Sequence, residues 1–239
     1  MNGTLKVFET PDLMNEAVAD FIIQLAAESI KSRNRFVICL SGGNTPNKLY
    51  TLLSSASFKD QIDWAKTFVF WGDERCVPLN DKRNNAHIAK LLLFNNIEIP
   101  PANIYSIQVN LPPSVAADAY EQTLKKFFRN EPPCFDLILL GLGENGHTAS
   151  LFPETTVIHE SRHWVKEVYV EEQNEWRITM TVLFINQARN IIFLIAGKTK
   201  ANILRTVLND SFQPDKYPAQ LIKPEQGYLY WFADKDAGY

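Results

Sequence analysis

The sequence predicts an α/β fold with a mostly parallel, Rossmann-like sheet that is covered by helices on both faces. Short apolar runs of strand length alternate with helical patterns along the 239 residues. The run from Phe135 to Leu140 is typical of a buried strand, and glycines and polar residues follow it directly. Ligands of open α/β sheets bind outside the carboxyl ends of the strands, so we expect the chemistry at this edge.

The composition is that of an ordinary globular chain. Hydrophobic residues make up 46% of the sequence and charged residues 21%, which favours one domain over residues 1–239. A net charge of -3, the absence of a membrane-length apolar run and an N-terminus without an apolar signal region predict no nucleic-acid or membrane partner. Cys39, Cys76 and Cys134 lack metal or redox spacing. We expect a cytoplasmic monomer or weak dimer.

Periodicity divides the chain into alternating helices and strands. The predicted helices cover residues 12–32, 47–53, 84–94, 115–128 and 198–208. The predicted strands cover residues 35–40, 67–71, 135–140, 164–170, 177–183, 190–196 and 228–233. Thr45 is expected to cap the second helix, with Pro46 in its first turn, and residues 148–151 can open a further helix.

The segment SGGNTP follows the strand predicted over residues 35–40. A turn from a strand into a helix exposes backbone N–H groups, and the helix dipole adds positive potential there. Two adjacent glycines would equally fit a plain tight turn, but Thr45 and Pro46 indicate a helix N-terminus that faces a ligand. We expect a phosphate to bind at Ser41, Gly42, Gly43, Asn44 and Thr45.

The candidate catalytic residue is His147. It ends the run GLGENGH, in which Gly141, Gly143 and Gly146 allow close approach of the backbone to a ligand. A lone histidine is often a satisfied structural residue. The surrounding glycines favour catalysis, because a structural histidine does not need such close backbone approach. Gly146 is expected to contact the substrate.

Charged residues supply the other candidates. Asp73 and Arg75 follow the strand that ends at Trp71, within the run WGDER. Three charged residues at the carboxyl end of a strand indicate a cluster that faces a ligand, although arginine is usually a surface residue. Arg177 and Lys200, taken singly, are by default explained as exposed residues.

Two short motifs suggest other functions. Gly141-x-Gly143-x-x-Gly146 satisfies the dinucleotide-binding pattern, but Pro153 leaves little room for the helix that the pattern requires. His159-Glu160-x-x-His163 satisfies the zinc-protease pattern, which needs both histidines on one face of a helix. The residues that follow predict a strand, and no third ligand is indicated. We therefore expect neither a metal nor a cofactor.

The motifs together resemble the 6-phosphogluconolactonase family. SGGNTP (41–46), WGDERCVP (71–78), LGLGENGHTASLFP (140–153), RITMT (177–181) and GKTK (197–200) stand in that family's order and spacing, over nearly the whole chain. The resemblance implies hydrolysis of 6-phosphoglucono-1,5-lactone, the second step of the oxidative pentose phosphate pathway, with His147 as general base. It also implies substrate contacts for Asp73, Arg177 and Lys200. Arg75 contacts either the substrate's phosphate or its carbonyl and hydroxyl groups.

One residue departs from the family pattern, because Asn145 stands where aspartate is usual. The related glucosamine-6-phosphate deaminases share the fold, and their histidine works with two carboxylates. The corresponding positions here are Asn145 and Phe152, so the chain lacks the acids that sugar-ring opening and proton abstraction need. A sugar-phosphate-binding protein without catalytic activity is the other alternative.

Overall fold

Strands and helices alternate along residues 3–129 and 132–238, which the computed structural model describes. The strands are Thr4–Phe8 (β1), Phe36–Leu40 (β2), Thr67–Trp71 (β3), Asp73–Arg75 (β4), Ile104–Tyr105 (β5), Leu137–Gly141 (β6), Val165–Val170 (β7), Glu175–Met180 (β8), Asn190–Ile195 (β9) and Tyr228–Asp234 (β10). The helices are Pro11–Arg33 (α1), Asn44–Leu53 (α2), Asn85–Leu92 (α3), Pro113–Phe127 (α4), Val182–Ile185 (α5), Ala201–Asn209 (α6) and Lys235–Gly238 (α7). Within these ranges no helix combines the length and the apolar character that a membrane crossing requires. Residues 1, 2, 130, 131 and 239 of the predicted domain lie outside the described residues.

A large parallel sheet forms the centre of the described structure. Seven of the described strands pair in the order β1-β10-β9-β6-β2-β3-β5. Every residue of β2 and β9 is buried, so both faces of the sheet are covered. Phe193 of β9 stacks on Trp231 of β10 in the core, with ring centroids 4.1 Å apart. The predicted fold class is confirmed.

The chain changes direction between the central strands β2 and β6. From β2 it continues to β3 and β5 on one side, and from β6 to β9 and β10 on the other. Cys39 of β2 pairs in parallel register with Ile138 of β6, so the loops after both strands emerge at the same edge. Such a switch point creates a crevice at the carboxyl ends of the strands. The loops that contain Ser41 and His147 border this crevice.

A small antiparallel sheet, in the order β4-β8-β7, extends the same edge. Gly72 joins β3 to β4, and its carbonyl accepts a hydrogen bond from the amide of Met180 at 2.7 Å. Arg75 of β4 lies directly opposite Arg177 of β8. The small sheet therefore brings charged residues from distant parts of the sequence to the carboxyl ends of the parallel strands.

Local sequence sets the ends of α1. The hydroxyl of Thr10 accepts a hydrogen bond from the amide of Leu13 at 3.2 Å, and Pro11 is the first helical residue. Asn34 ends the helix in the left-handed conformation, with a φ of 56°. Its amide donates to the carbonyl of Ile30 at 2.8 Å, which satisfies one of the last carbonyls of the helix.

The structure differs from the sequence prediction in several elements. Residues 148–151 open no helix, because Ala149 has a φ of 48° and Thr148 and Leu151 form an isolated bridge. The strand predicted over residues 177–183 begins at Glu175 and ends at Met180, where the chain turns into α5. The sequence pattern does not indicate β1, β4, β5, α5 or α7. Each of these is at most five residues long, too short for a clear periodicity.

Candidate active site

The loop after β2 leads directly into a helix N-terminus. Gly43 precedes α2 with a φ of 109°, which residues with a side chain rarely adopt, and Asn44 is the first helical residue. The prediction that Thr45 caps this helix is therefore wrong, whereas Pro46 lies in the first turn as predicted. The first amides of a helix have no acceptor within it, so those of Asn44 and Thr45 are available to an anion.

Two neighbouring side chains hold this loop in place. The amide of Ser41 donates to the hydroxyl of Tyr50 at 3.1 Å, and that hydroxyl donates to the carbonyl of Ser41 at 2.5 Å. Gly42 lies against Asn85 of α3, since a Cβ at Gly42 would be only 1.9 Å from Oδ1 of Asn85. The backbone of Ser41 is thus occupied by Tyr50, and glycine is required at position 42.

The loop after β6 folds His147 back over Gly143. The amide of Gly143 donates to the carbonyl of His147 at 2.8 Å, and a Cβ at Gly143 would be 2.0 Å from Nδ1 of that histidine. Gly146 has a φ of 81°, and its carbonyl accepts a hydrogen bond from the amide of Ala219 at 2.9 Å. Gly143 therefore permits the close approach of the ring, and Gly146 permits the turn.

Asn145 determines which nitrogen of His147 carries the proton. Its side-chain oxygen lies 2.6 Å from Nδ1 of His147 and accepts the backbone amide of the same residue at 3.2 Å. The backbone amide requires an acceptor at this point, which orients the side chain of Asn145. An amide oxygen only accepts hydrogen bonds, so Nδ1 is the protonated ring nitrogen. Nε2 keeps its lone pair and can act as a base.

The surroundings of His147 keep its ring neutral. The ring stacks on Phe152, with centroids 4.1 Å apart and an angle of 18° between the planes. Burial lowers the pKa of His147 to about 4; the carboxylate of Asp73 opposes this shift, and three nearby cationic side chains reinforce it. Since this pKa lies below the ordinary value, the imidazole is neutral throughout the physiological range of pH.

Asp73 and Arg177 form a buried charged pair in the cleft. Nη1 of Arg177 lies 3.9 Å from Oδ2 of Asp73, and that oxygen accepts the hydroxyl of Ser150 at 2.6 Å. Nη2 of Arg177 lies 3.5 Å from Oε2 of Glu175, and the guanidinium lies 5.5 Å from the ring centroid of Phe152. Among the described residues, Nε of Arg177 is buried without a hydrogen-bond partner. Arg177 is therefore held in place at the wall of the cleft.

Arg75 and Lys200 add further positive charge. Nη1 of Arg75 donates to the carbonyl of Arg83 at 2.6 Å, while its buried Nε has no partner within the described ranges. Lys200 lies in the turn after Gly197, and its Nζ is 4.0 Å from Oε1 of Glu144. Among the described residues Arg75 forms no ion pair, and the carboxylate that Lys200 contacts is largely exposed and screened by solvent, so both cations can attract an anion.

Asp234 of β10 supports the cleft, a role that the sequence did not predict. Both of its carboxylate oxygens lie 3.0 Å from the amide of Gly197, and Oδ1 also accepts the amide of Ala237 at 2.9 Å. These bonds anchor the turn that carries Lys200. Residues 231–234 resemble the C-terminal pattern of the 6-phosphogluconolactonase family, but the sequence alone does not indicate that Asp234 binds the amides of Gly197 and Ala237.

The candidate residues surround an open cleft of about 440 Å³. Its lining includes nearly all of the predicted site residues: Ser41, Gly42, Gly43, Asn44, Thr45, Asp73, Arg75, His147, Arg177 and Lys200. Gly146 instead packs beside Tyr217, behind the loop. A neutral base thus shares one cleft with a helix N-terminus and three cationic side chains, an arrangement that suits an anionic substrate.

The two alternative motifs do not form the structures that their functions require. Residues 159–163 form no α-helix, and the two histidines contact different carboxylates. Nε2 of His159 lies 3.0 Å from Asp215, whereas Nδ1 of His163 lies 3.6 Å from Glu121. In the part of the chain that the structure describes, no three His, Cys, Asp or Glu side chains are placed to hold a metal ion. No helix begins directly after Gly146, so the dinucleotide-binding turn is not formed either.

The fold and the cleft define an α/β protein with an anion-binding site at the switch point of its sheet. Residues 9–231 match the family of glucosamine-6-phosphate isomerases/6-phosphogluconolactonase, and the chain belongs to this family. It is 39% identical over 215 residues to the 6-phosphogluconolactonase of Synechocystis sp., which covers 88% of this chain and 87% of that protein. It is 36% identical over 242 residues to the Nostoc sp. 6-phosphogluconolactonase, with 100% and 98% covered. The structure of the Thermotoga maritima 6-phosphogluconolactonase superimposes with a TM-score of 0.84 at 27% identity, over 97% and 99% of the two chains.

We predict that Gly143→Ala raises the pKa of His147 toward its ordinary value. The added Cβ would lie 2.0 Å from Nδ1, so the ring must leave Asn145 and become more exposed. Gly141→Ala is the matched control, because nothing lies within 4 Å of a Cβ at that glycine. NMR titration measures the pKa of the His147 ring in both variants. A Gly143→Ala protein with the wild-type pKa would contradict the role assigned to this glycine.

Proposed function

We propose that the chain hydrolyses 6-phosphoglucono-1,5-lactone to 6-phosphogluconate, the second step of the oxidative pentose phosphate pathway. The observation that carries this proposal is the neutral imidazole of His147, which lines a cleft with several cationic groups and whose Nε2 has no hydrogen-bond partner among the described residues. A lactone is an activated ester, so its hydrolysis needs a deprotonated water rather than a stronger nucleophile. The relatives that are named 6-phosphogluconolactonase support the same reaction.

His147 acts as base and then as acid. Its Nε2 takes a proton from water while the water oxygen bonds to the carbonyl carbon of the lactone. The imidazolium then returns this proton to the ring oxygen as the carbon–oxygen bond breaks, which restores the neutral ring. The carboxylate of Asp73 favours the transient imidazolium, because it already raises the pKa of His147 against the effect of burial. One water is consumed, and no further reactant is needed.

The negatively charged phosphate of the substrate binds to the positively charged groups of the cleft. The amides of Gly42 to Thr45, together with Arg177 and Lys200, donate charge-assisted hydrogen bonds to it. Arg75 adds positive charge for the phosphate or for the oxyanion that forms at the carbonyl. When the phosphate is bound, the carbonyl of the substrate is held close to His147, and this positioning lowers the entropic part of the activation barrier.

The cleft lacks the two carboxylic acids that the deaminase reaction requires beside the histidine. Asn145 is an amide that accepts hydrogen bonds from His147, and Phe152 places a hydrocarbon ring against the imidazole. Neither side chain can donate or accept a proton in the opening of a sugar ring. We therefore favour lactone hydrolysis over the aminosugar-phosphate reaction that shares this fold.

We further propose a cytoplasmic enzyme that acts as a monomer or weak dimer and as one domain over residues 1–239. Two observations support the reducing compartment and the single domain. Cys39, Cys76 and Cys134 are free thiols, as is usual in a reducing compartment. Asp73, Arg75 and Arg177 of the small sheet line the same cleft as the loops of the large sheet, which joins both sheets in one site.

The proposal is tested by an assay on freshly generated 6-phosphogluconolactone, corrected for spontaneous hydrolysis. We predict that the wild type accelerates hydrolysis and that His147→Ala loses at least about 10²-fold of the catalysed rate, the usual contribution of a general base. Binding of 6-phosphogluconate should change little. A wild type without turnover that still binds the product would indicate a binding protein, and a variant within about threefold of wild type would exclude His147 as the base.

We predict that Asn145→Asp moves the acid limb of the pH–rate profile to higher pH and leaves the plateau rate similar to that of the wild type. Aspartate can accept the same two N–H groups, but its negative charge favours the imidazolium and so raises the pKa of His147 above about 4. The base is then lost at a higher pH than in the wild type. A plateau rate at least about tenfold higher, with no shift of the limb, would show that the missing carboxylate is itself catalytic.

We predict that Lys200→Ala raises KM for the lactone, whereas Lys198→Ala in the same turn does not. Loss of a hydrogen bond to a charged group costs about 1.5–3 kcal/mol, which corresponds to roughly a tenfold or larger rise in KM. Lys200 lines the cleft, and Lys198 is not part of its lining. Equal Michaelis constants for the two variants would contradict a phosphate contact at Lys200.

A further inference from the structure

A buried carboxylate joins the small sheet to α3 directly behind the cleft. Glu74 is 1% exposed and lies between Asp73 and Arg75 on β4. Its Oε1 accepts the amides of Arg75 at 2.9 Å and Asn85 at 2.8 Å, and its Oε2 accepts the amide of Ala86 at 2.9 Å. Two of these amides begin α3, so Glu74 fixes the N-terminus of that helix to β4.

Asn85 carries this connection into the cleft. Its Nδ2 donates to the carbonyl of Asp73 at 3.0 Å, and its Oδ1 packs so closely against Gly42 that a Cβ there would lie 1.9 Å away. Asn85 therefore touches both halves of the cleft: the loop before α2 and the strand that bears Asp73 and Arg75. We call Glu74 and Asn85 together the clasp.

Helix capping alone does not account for Glu74. The side chain of Asn84 already caps α3, because its Oδ1 accepts the amide of His87 at 2.8 Å. Glu74 is also unfavourable to bury: burial raises its pKa to about 7, in spite of the three backbone amides that oppose the shift. A carboxylate that is unfavourable to bury and is not needed as the helix cap must have another role. Its contacts indicate that this role is to connect β4 to the loop at Gly42.

We propose that Glu74 is a positioning residue that acts through Asn85 to hold the loop at Gly42 and the strand at Asp73 and Arg75 in the geometry that binds the phosphorylated substrate. This inference rests on the proposed function of the cleft. Because the clasp fixes the two walls relative to each other, its loss should weaken binding of the sugar phosphate more than it slows the chemical step.

The test uses two clasp variants and one matched control. Glu74→Gln replaces an acceptor of Ala86 by an NH₂ group, and Asn85→Ala removes the contacts to Gly42 and Asp73 while leaving Glu74 in place. Glu121→Gln is the control. Glu121 is also buried, at 4% exposure, and accepts backbone amides of another element, those of Trp164 at 2.8 Å and Val165 at 3.2 Å. It does not contribute to the lining of the cleft.

Calorimetric titration with 6-phosphogluconate gives the Kd of each folded variant. The clasp predicts that Glu74→Gln and Asn85→Ala each raise Kd by about tenfold or more, and that the control stays within about twofold of wild type. The Kd of the double clasp variant should lie within about twofold of the Kd of the weaker-binding single variant, because both substitutions break the same connection.

Three results would overturn the clasp: a Glu74→Gln protein with wild-type Kd, a control that is weakened equally, or fully additive losses in the double variant. Lactone turnover by the wild type is measured on the same preparation. A wild type that binds 6-phosphogluconate without hydrolysing the lactone would contradict the proposed function, and the Kd series would still decide the role of Glu74. A wild type that does neither would contradict both proposals.

Discussion

The hydrogen bond between Nδ1 of His147 and the side-chain oxygen of Asn145 decides the chemistry of the cleft. It leaves Nε2 without a proton, and only this nitrogen can then act as a base. The bond depends on Gly143, because any side chain there would occupy the place of the imidazole. Asn145 provides the shape of the loop without a charge, whereas an aspartate would favour the protonated ring. The proposed reaction begins with a neutral imidazole, so an amide suits this position.

The small sheet creates an electrostatic cost that an anionic substrate relieves. Arg75 and Arg177 lie directly opposite each other, and like charges in such a pair are unfavourable. Burial lowers the pKa of Arg177, Asp73 opposes that shift, and the charge of Arg75 adds to it. Asp73 and Glu175 balance part of the positive charge. A dianionic phosphate would balance the remaining positive charge. The same interaction would then both bind the substrate and position it.

The sequence predicted those parts of the site that lie at the ends of buried strands. Apolar runs such as 135–140 indicate parallel strands, and the carboxyl ends of such strands share one edge. His147, Arg75 and the loop at Ser41 could therefore be expected to meet before any distance was known. Arg177 and Lys200, equivocal on their own, came from the resemblance, since an arginine on a strand or a lysine after one has no distinctive pattern.

Other features depended on contacts between distant residues. The start of α2 is set by the positive φ of Gly43, which overrides the capping preference of Thr45. The helix expected after His147 does not form, because the chain turns at Ala149. Asp234 and Glu74 bind backbone amides, and because nearly every residue has such an amide, the sequence does not show which amides they bind.

The protonation state of His147 in solution tests the central claim most directly. Nitrogen-15 NMR of selectively labelled histidine distinguishes the two neutral tautomers and follows their titration. We expect a neutral ring with the proton on Nδ1 from pH 8 down to about pH 5, since burial lowers the pKa of His147 to about 4. A proton on Nε2, or a ring that is already charged at pH 7, would contradict it.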